Sequence, residues 1–198
     1  METIEKIREL LLQVVPDARI EIVHSTPAAQ QPALLVDREH LYAAAKFLKE
    51  DQRFQMDFCS CVTGVDYLLK GDKPGCMEVV YHLYSVALQQ GPIILKVRAP
   101  RALEQCHVPS LTPLWRGCEF QEREAYDLYG VKFDGHPDLR RILMWDEFTD
   151  HPMRKDYVPP MDYGWEPTPH GKTLQRAVQA GGVVPPSAMA ELEKAKKK

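Results

Sequence analysis

The sequence has no apolar run approaching the roughly 20 residues that cross a bilayer. It has no Cys-x-x-Cys pair, no glycine-rich nucleotide loop and no excess of basic residues. Each absence removes a class of function. The chain does not read as a membrane span, and its opening, METIEKIREL, is charged and amphipathic where a secretion signal has a basic start and an apolar core. The expectation is a soluble, cytosolic chain, which leaves room for a membrane-bound partner. Lys and Arg number 25 against 28 Asp and Glu, for a net charge of −3, so the overall balance gives no basic face for nucleic acid. The five cysteines, Cys59, Cys61, Cys76, Cys106 and Cys118, are odd in number and lack metal-ligand spacing. They argue against a disulfide framework and against a zinc or iron–sulfur site built from this chain alone. They read as small buried hydrophobes in a reducing compartment, with Cys59 and Cys61 sharing one face of a strand.

What is present is an apolar fraction of 44% over 198 residues, ample for one domain with a core, or one domain plus an extension. Ile4, Ile7, Leu11 and Val14 recur at helical spacing, with Thr3 as cap and Pro16 as stop. ARIEIV from Ala18 and ALLV from Ala33 read as strands. Asp37 is placed to cap a helix reaching Glu50, with Leu41, Ala44, Ala45 and Leu48 on one face. Three strands follow: one through CSCVTGVDY, one over Met77–Leu88 after a loop around Pro74, and IILKVRA after a Gly91-Pro92 turn. This order predicts an α+β fold of two layers, with helices packed on a largely antiparallel or mixed sheet. A further helix is expected from Thr112-Pro113 to Gly130, with Trp115, Cys118, Ala125 and Leu128 inward. Asp134-Gly135 marks a turn. The expected division is a domain over 1–150 and, over 151–198, an extended proline-rich tail that keeps Tyr163 and Trp165 and wraps a partner.

Charge concentrates from Glu119 to Tyr157, a stretch that holds ten acids and six bases. Seven of the chain's 17 aromatics lie in the same stretch, too many for a disordered segment. Glu122 falls on the inward stripe of the expected helix and therefore needs a partner. Arg140 and Arg141 are the natural candidates, because a guanidinium can hold a carboxylate by two bonds. On the same helix Arg123 and Asp127 are four apart, and Glu124 and Asp127 three. HPDLRR from His136 and HPMRKD from His151 echo each other and suggest two similar turns presenting basic pairs. Three readings of this stretch compete. One is a solvated helix with its loop. A second is an enzymatic site that uses Glu122 or Glu124 with His136 as acid and base, or His136, His151 and Asp150 as metal ligands, in a free-standing metal-dependent enzyme. The third is a surface that meets another protein, which the enrichment in Tyr, Trp and Arg favours.

Glu122-Arg123-Glu124, Asp127, Gly130, Val131, Phe133, Gly135-His136-Pro137, Leu139, Arg140-Arg141 and Ile142-Leu143 resemble the signature of the thirty-kilodalton subunit of respiratory complex I, which in bacteria is the C-type subunit of the NADH–quinone oxidoreductase. HPMRKDY, TGVDY, MEVVYHLYS and VPSLTPLW add to the likeness, which covers about residues 57–157. The resemblance implies a structural subunit of the hydrophilic arm of a proton-translocating complex, peripheral on the cytoplasmic side of the bacterial inner membrane. It implies that no cofactor is held by this chain, with FMN, iron–sulfur clusters and quinone in partner subunits and no catalytic residue here. The implied neighbours are the forty-nine-kilodalton, D-type subunit and the B-type subunit bearing the terminal cluster, along with the rest of the hydrophilic arm. The expected interface and structural network is Glu122, Arg123, Glu124, Asp127, His136, Arg140, Arg141, His151, Arg154, Lys155 and Asp156. The residues do not separate this reading from the equivalent subunit of a membrane-bound hydrogenase or another complex I relative.

Overall fold

The structure is a computed structural model and describes residues 2–24, 31–68 and 75–159. The chain divides into two units, Met1–Lys155 and Asp156–Lys198. The expected loop around Pro74 and the tail with Tyr163 and Trp165 lie outside the described residues, as does all of the second unit beyond Pro159.

The first unit runs α1 (Ile4–Val14), β1 (Ile20–His24), β2 (Pro32–Val36), α2 (Leu41–Glu50), β3 (Phe58–Tyr67), β4 (Cys76–Ser85), β5 (Gln90–Pro100), β6 (His107–Pro109), α3 (Cys118–Tyr129) and β7 (Lys132–Asp134). The helix and strand order of the first hundred residues is the one the sequence indicates. Five strands form a mixed sheet in the order β1-β2-β5-β4-β3, in which only β2 and β5 are parallel. β6 and β7 form a separate parallel pair; β7 is the short extended piece that VKF, Val131–Phe133, reads as, whereas β6 is too short to show as a pattern. All three helices share one apolar core with the sheet, through Ile7 and Leu11 of α1, Leu41, Ala44, Ala45 and Leu48 of α2, and Cys118 and Ala125 of α3. Met77, Val79, Tyr81 and Leu83 alternate into that core from β4, while Val80 joins Ala33 and Ile94 in a smaller cluster. The two clusters follow from the period-2 alternation of side chains along a strand.

Several local expectations are corrected. In α1, Thr3 does cap, accepting from Lys6 N, but Leu10 is buried and Val14 is exposed, which turns the apolar stripe. Asp37 does not cap α2. Its carboxylate accepts from Arg19 N at 2.6 Å and His40 N at 3.0 Å, which ties β1 to a turn before the helix begins at Leu41. β4 ends at Ser85, and the turn falls at Val86–Gln89, so Gly91-Pro92 lies inside the start of β5. Cys59 and Cys61 do not share a face. A bulge leaves Ser60 without a partner on β4, so the strand changes phase: Cys59, Val62, Gly64 and Asp66 are buried, and the Cys61 thiol instead lies 3.0 Å from the Thr63 hydroxyl.

Both outer strands have an outward backbone group occupied by a helix side chain. On β3, Val62 N donates to Gln121 Oε1 at 2.7 Å. On β1, the Ile20 carbonyl accepts from Arg8 Nε at 2.8 Å.

Candidate functional site

The residues singled out by sequence gather around α3. The helix starts at Cys118, one turn later than expected, and Gly117 offers no side chain to cap it. Thr112 and Pro113 instead open a separate turn in which Leu111 O accepts from both Leu114 N and Trp115 N. The far end follows the sequence: Gly130 takes φ 77°, a left-handed stop in which a Cβ would stand 2.7 Å from the His151 ring. α3 lies close against β3, since a Cβ on Gly64 would come within 2.8 Å of the Tyr129 ring.

Glu122 is fully buried on the core side of α3. Arg140 and Arg141, its expected partners, are elsewhere. Its carboxylate accepts from Ser110 Oγ at 2.5 Å, Leu111 N at 2.8 Å, Thr112 Oγ1 at 3.1 Å and Tyr81 OH at 3.3 Å. Thr112 could not serve as a helix cap because its hydroxyl is turned to this carboxylate. Burial pushes the Glu122 carboxyl up, and the bonds from Ser110, Leu111 and Thr112 offset this only in part.

Asp127 is equally buried, on the side facing the segment after β7. Its Oδ2 accepts from three successive backbone N–H groups, Ile142 at 3.0 Å, Leu143 at 2.7 Å and Met144 at 2.8 Å, and its Oδ1 accepts from Arg141 Nη1 at 2.6 Å. Burial alone would raise this carboxyl, but those bonds outweigh it and hold Asp127 below the usual carboxylate range. Arg123 is buried too. It does not bond to Asp127 but donates to the carbonyls of Arg140 and Arg141, both at 3.1 Å. One turn of helix thus grips the segment through its N–H groups and its carbonyls.

The two His-Pro turns clamp opposite ends of α3. His136 Nε2 lies 3.0 Å from Glu119 O, and its Nδ1 accepts from Asp138 N, which fixes Nε2 as the protonated nitrogen. His151 Nδ1 lies 2.9 Å from Asp127 O. Their basic pairs differ in role. Arg140 is exposed on Asp138, and Arg141 is drawn in to Asp127. Arg154 donates to the carbonyls of Tyr129 and Arg101, while Lys155 contributes its backbone N–H to Asp66 and leaves its side chain exposed. Asp66 is held by Arg101 through two bonds of 2.7 and 2.8 Å. Glu124 and Asp156 are exposed.

Sequence reasoning misses Tyr81, Ser110, Asp66 and Arg101 as members of this network. An acid inside an apolar strand is the available signal for Asp66, and also for Glu78, which is fully buried against Lys96 and Arg98. The geometry does not assemble the enzymatic arrangement. Glu122 has its oxygens engaged by four donors out of solvent, Glu124 faces outward, and His136 is bonded to a helix carbonyl. Among the described residues no group of three His, Cys, Asp or Glu could hold a metal, and no helix is long and apolar enough to cross a membrane.

A family model described as respiratory-chain NADH dehydrogenase, 30 kDa subunit, matches residues 34–163. The C subunit of the NADH-quinone oxidoreductase of Moorella thermoacetica is 46% identical over 128 residues, covering 64% of this chain and 79% of that protein. The second C subunit of Rhizobium meliloti is 42% identical over 125 residues, 63% of this chain and 65% of that protein. The C subunit of Chloroherpeton thalassium is 42% identical over 115 residues, 58% of this chain but 45% of that protein. The match therefore spans from under half to about four fifths of these relatives. Two solved structures share the fold. One, of the membrane-bound sulfane sulfur reductase, an archaeal respiratory membrane complex, has a TM-score of 0.60 at 25% identity and covers 78% of this chain and 85% of the other. The second, a trypsin-resistant fragment of Nqo5, has a TM-score of 0.51 at 29% identity and covers 68% of this chain and 98% of the fragment.

Proposed function

Since the chain belongs to the family of the respiratory-chain NADH dehydrogenase 30 kDa subunit, we propose that it is a structural subunit of the hydrophilic arm of a proton-translocating NADH–quinone oxidoreductase. It carries no cofactor of its own. Electrons pass from NADH through FMN and iron–sulfur centres to quinone in neighbouring subunits, and this chain holds those neighbours in place. Electron tunnelling falls steeply with cofactor separation, so a rigid spacer contributes to turnover without touching a substrate. The observation that carries this reading is the double grip of α3 on an irregular segment: Asp127 and Arg123, both buried, fix the backbone of residues 140–144 from two sides. Five backbone groups held at one helix turn make a rigid outer surface from a stretch with no regular structure. The network of Glu122, Arg123, Glu124, Asp127, His136, Arg140, Arg141, His151, Arg154, Lys155 and Asp156 is that surface and its support. Its neighbours are the forty-nine-kilodalton-type and terminal-cluster subunits, and the assembly is peripheral on the cytoplasmic side of the bacterial inner membrane. Residues 151–155 stay bonded to α3, Arg101 and Asp66, and the rest of the expected tail, residues 156–198, extends over a partner.

A second reading rests on the likeness to a chain of the membrane-bound sulfane sulfur reductase complex: the same structural role in a complex I relative with another electron donor. One experiment addresses both. The tagged chain is purified from its own membranes in mild detergent, and the co-purifying subunits are identified by mass spectrometry. Flavin- and NADH-binding subunits support the first reading, and a nickel-site large subunit the second. A chain recovered alone overturns both.

A further inference from the structure

Arg123 and Arg141, beside α3, are drawn inward, and this changes the character of the surface they leave. Arg123 keeps its guanidinium beneath Phe120, 5.4 Å from the ring, while bonding to the carbonyls of Arg140 and Arg141. Arg141 is bonded to Asp127. Arg140 is exposed but lies on Asp138 and feels the charge of Asp146 as well. By contrast Glu124, Glu147 and Asp150 are exposed and make no ion pair among the described residues. Amid these acids stand large apolar side chains: Phe120 is 59% exposed, Leu143 61% and Trp145 37%. Phe120 and Glu124 are one turn apart on α3, and Leu143 is tethered to the same helix through its N–H to Asp127. α3 and the segment it holds therefore present exposed apolar side chains together with exposed acids that make no ion pair among the described residues.

Resting on the subunit reading above, we infer that this face docks a basic, apolar segment of a neighbouring subunit. The acids select the partner class. An anionic lipid surface or a nucleic acid would set phosphates against three acids that lack a counter-ion. A second copy of this chain, apposed through the same face, would set these acids against themselves. A cationic segment with large apolar side chains satisfies both the apolar groups and the acids, and the attraction to the acids should speed encounter and fix register. The backbone of the segment is already fixed by Asp127 and Arg123, so docking orders little of this side.

The test uses the assembled complex in membranes. A benzophenone-bearing amino acid is placed at Leu143, the membranes are irradiated, and the cross-linked peptide is sequenced. The expected product is a peptide of another subunit with at least two more Lys and Arg than Asp and Glu within about ten residues of the cross-link, the span one such face can cover. A neutral or acidic peptide, a lipid adduct, a second copy of this chain, its own residues 160–198, or no protein adduct overturns the inference. In parallel, Glu124→Lys with Glu147→Lys is compared with a control pair elsewhere, Glu5→Lys with Glu39→Lys. Both full-length variants should melt as the unaltered chain does. The first pair should lower the amount retained in the complex about tenfold, and the deficit should shrink as salt rises. Equal retention of both pairs sinks the docking face and leaves the subunit reading standing. An unaltered chain that joins no complex removes both.

Discussion

Glu122 is held by neutral donors, and this sets how it responds to substitution. Glu122→Ala leaves Leu111 N, the Ser110 and Thr112 hydroxyls and the Tyr81 hydroxyl without their acceptor inside the core. The expected cost is about 3–5 kcal/mol, a fall in melting temperature of roughly 6–20 °C. Glu122→Gln should cost under about 1.5 kcal/mol, because its carbonyl can serve Leu111 and Tyr81 while the two hydroxyls turn to accept from the amide. Melting curves of the full chain decide between them; comparable losses would mean that the charge itself is needed. Burial raises the Glu122 carboxyl in the folded state. Its share of stability is therefore present below the unfolded carboxyl's range near 4.3 and is lost as pH rises through the folded value. The Gln variant should lack that component. The position of Glu122 was legible from its spacing with Cys118 and Ala125. Its partners were not, because Ser110, Thr112 and Tyr81 reach it only through the packing of α3 on the sheet, and helical spacing carries no information about that.

α3 is an element held from outside as much as by its own hydrogen bonds. Its acidic first turn is Glu119, and no basic residue sits in its last turn. The carbonyls at its end are served instead by His151 on Asp127 and Arg154 on Tyr129. His151→Phe keeps a ring against Gly130 but leaves the Asp127 carbonyl without this donor, and should cost about 1 kcal/mol at neutral pH. Burial pushes His151 down, and Arg141 and Arg154 add to that. The unfolded chain then takes up the proton first, so stability is complete above about pH 6.5 and is lost as pH falls below it. Denaturant titrations between pH 7.5 and 5 should show a shallower decline in His151→Phe than in the unaltered chain. Identical slopes would show that the ring titrates as it would in water. The stop at Gly130 could be read from sequence, since only glycine takes that conformation at little cost. The start was misplaced because Thr112-Pro113 is a sound opening for any turn, and the competing claim of a buried carboxylate on the threonine hydroxyl is a tertiary fact. The His-Pro echo was visible, but that its two copies clamp the two ends of one helix was not.

At the scale of the molecule, the α+β architecture was legible because the apolar period changes cleanly between helix and strand over the first hundred residues. Strand order was less so. The parallel pairing of β2 with β5 brings together segments more than fifty residues apart, with α2, β3 and β4 between them, and no local pattern encodes it. The same sheet leaves two outer strands, and an unpaired strand edge is a template for another chain. Here Gln121 occupies the outward N–H of Val62, and Arg8 the outward carbonyl of Ile20. On the subunit reading, the polypeptide spends time alone between synthesis and incorporation, at whatever concentration the cell has made. The two side chains interrupt the ladder that a second molecule would need in order to add itself edge to edge during that interval. Arg8→Ala with Gln121→Ala should therefore leave the fold intact, with a loss of about 1–3 kcal/mol. Sedimentation of the free chain should show concentration-dependent oligomers that bind an amyloid-sensitive dye, where the unaltered chain stays small. A double variant that remains as small as its parent would mean that the orphan's protection from its own kind lies elsewhere than in these two caps.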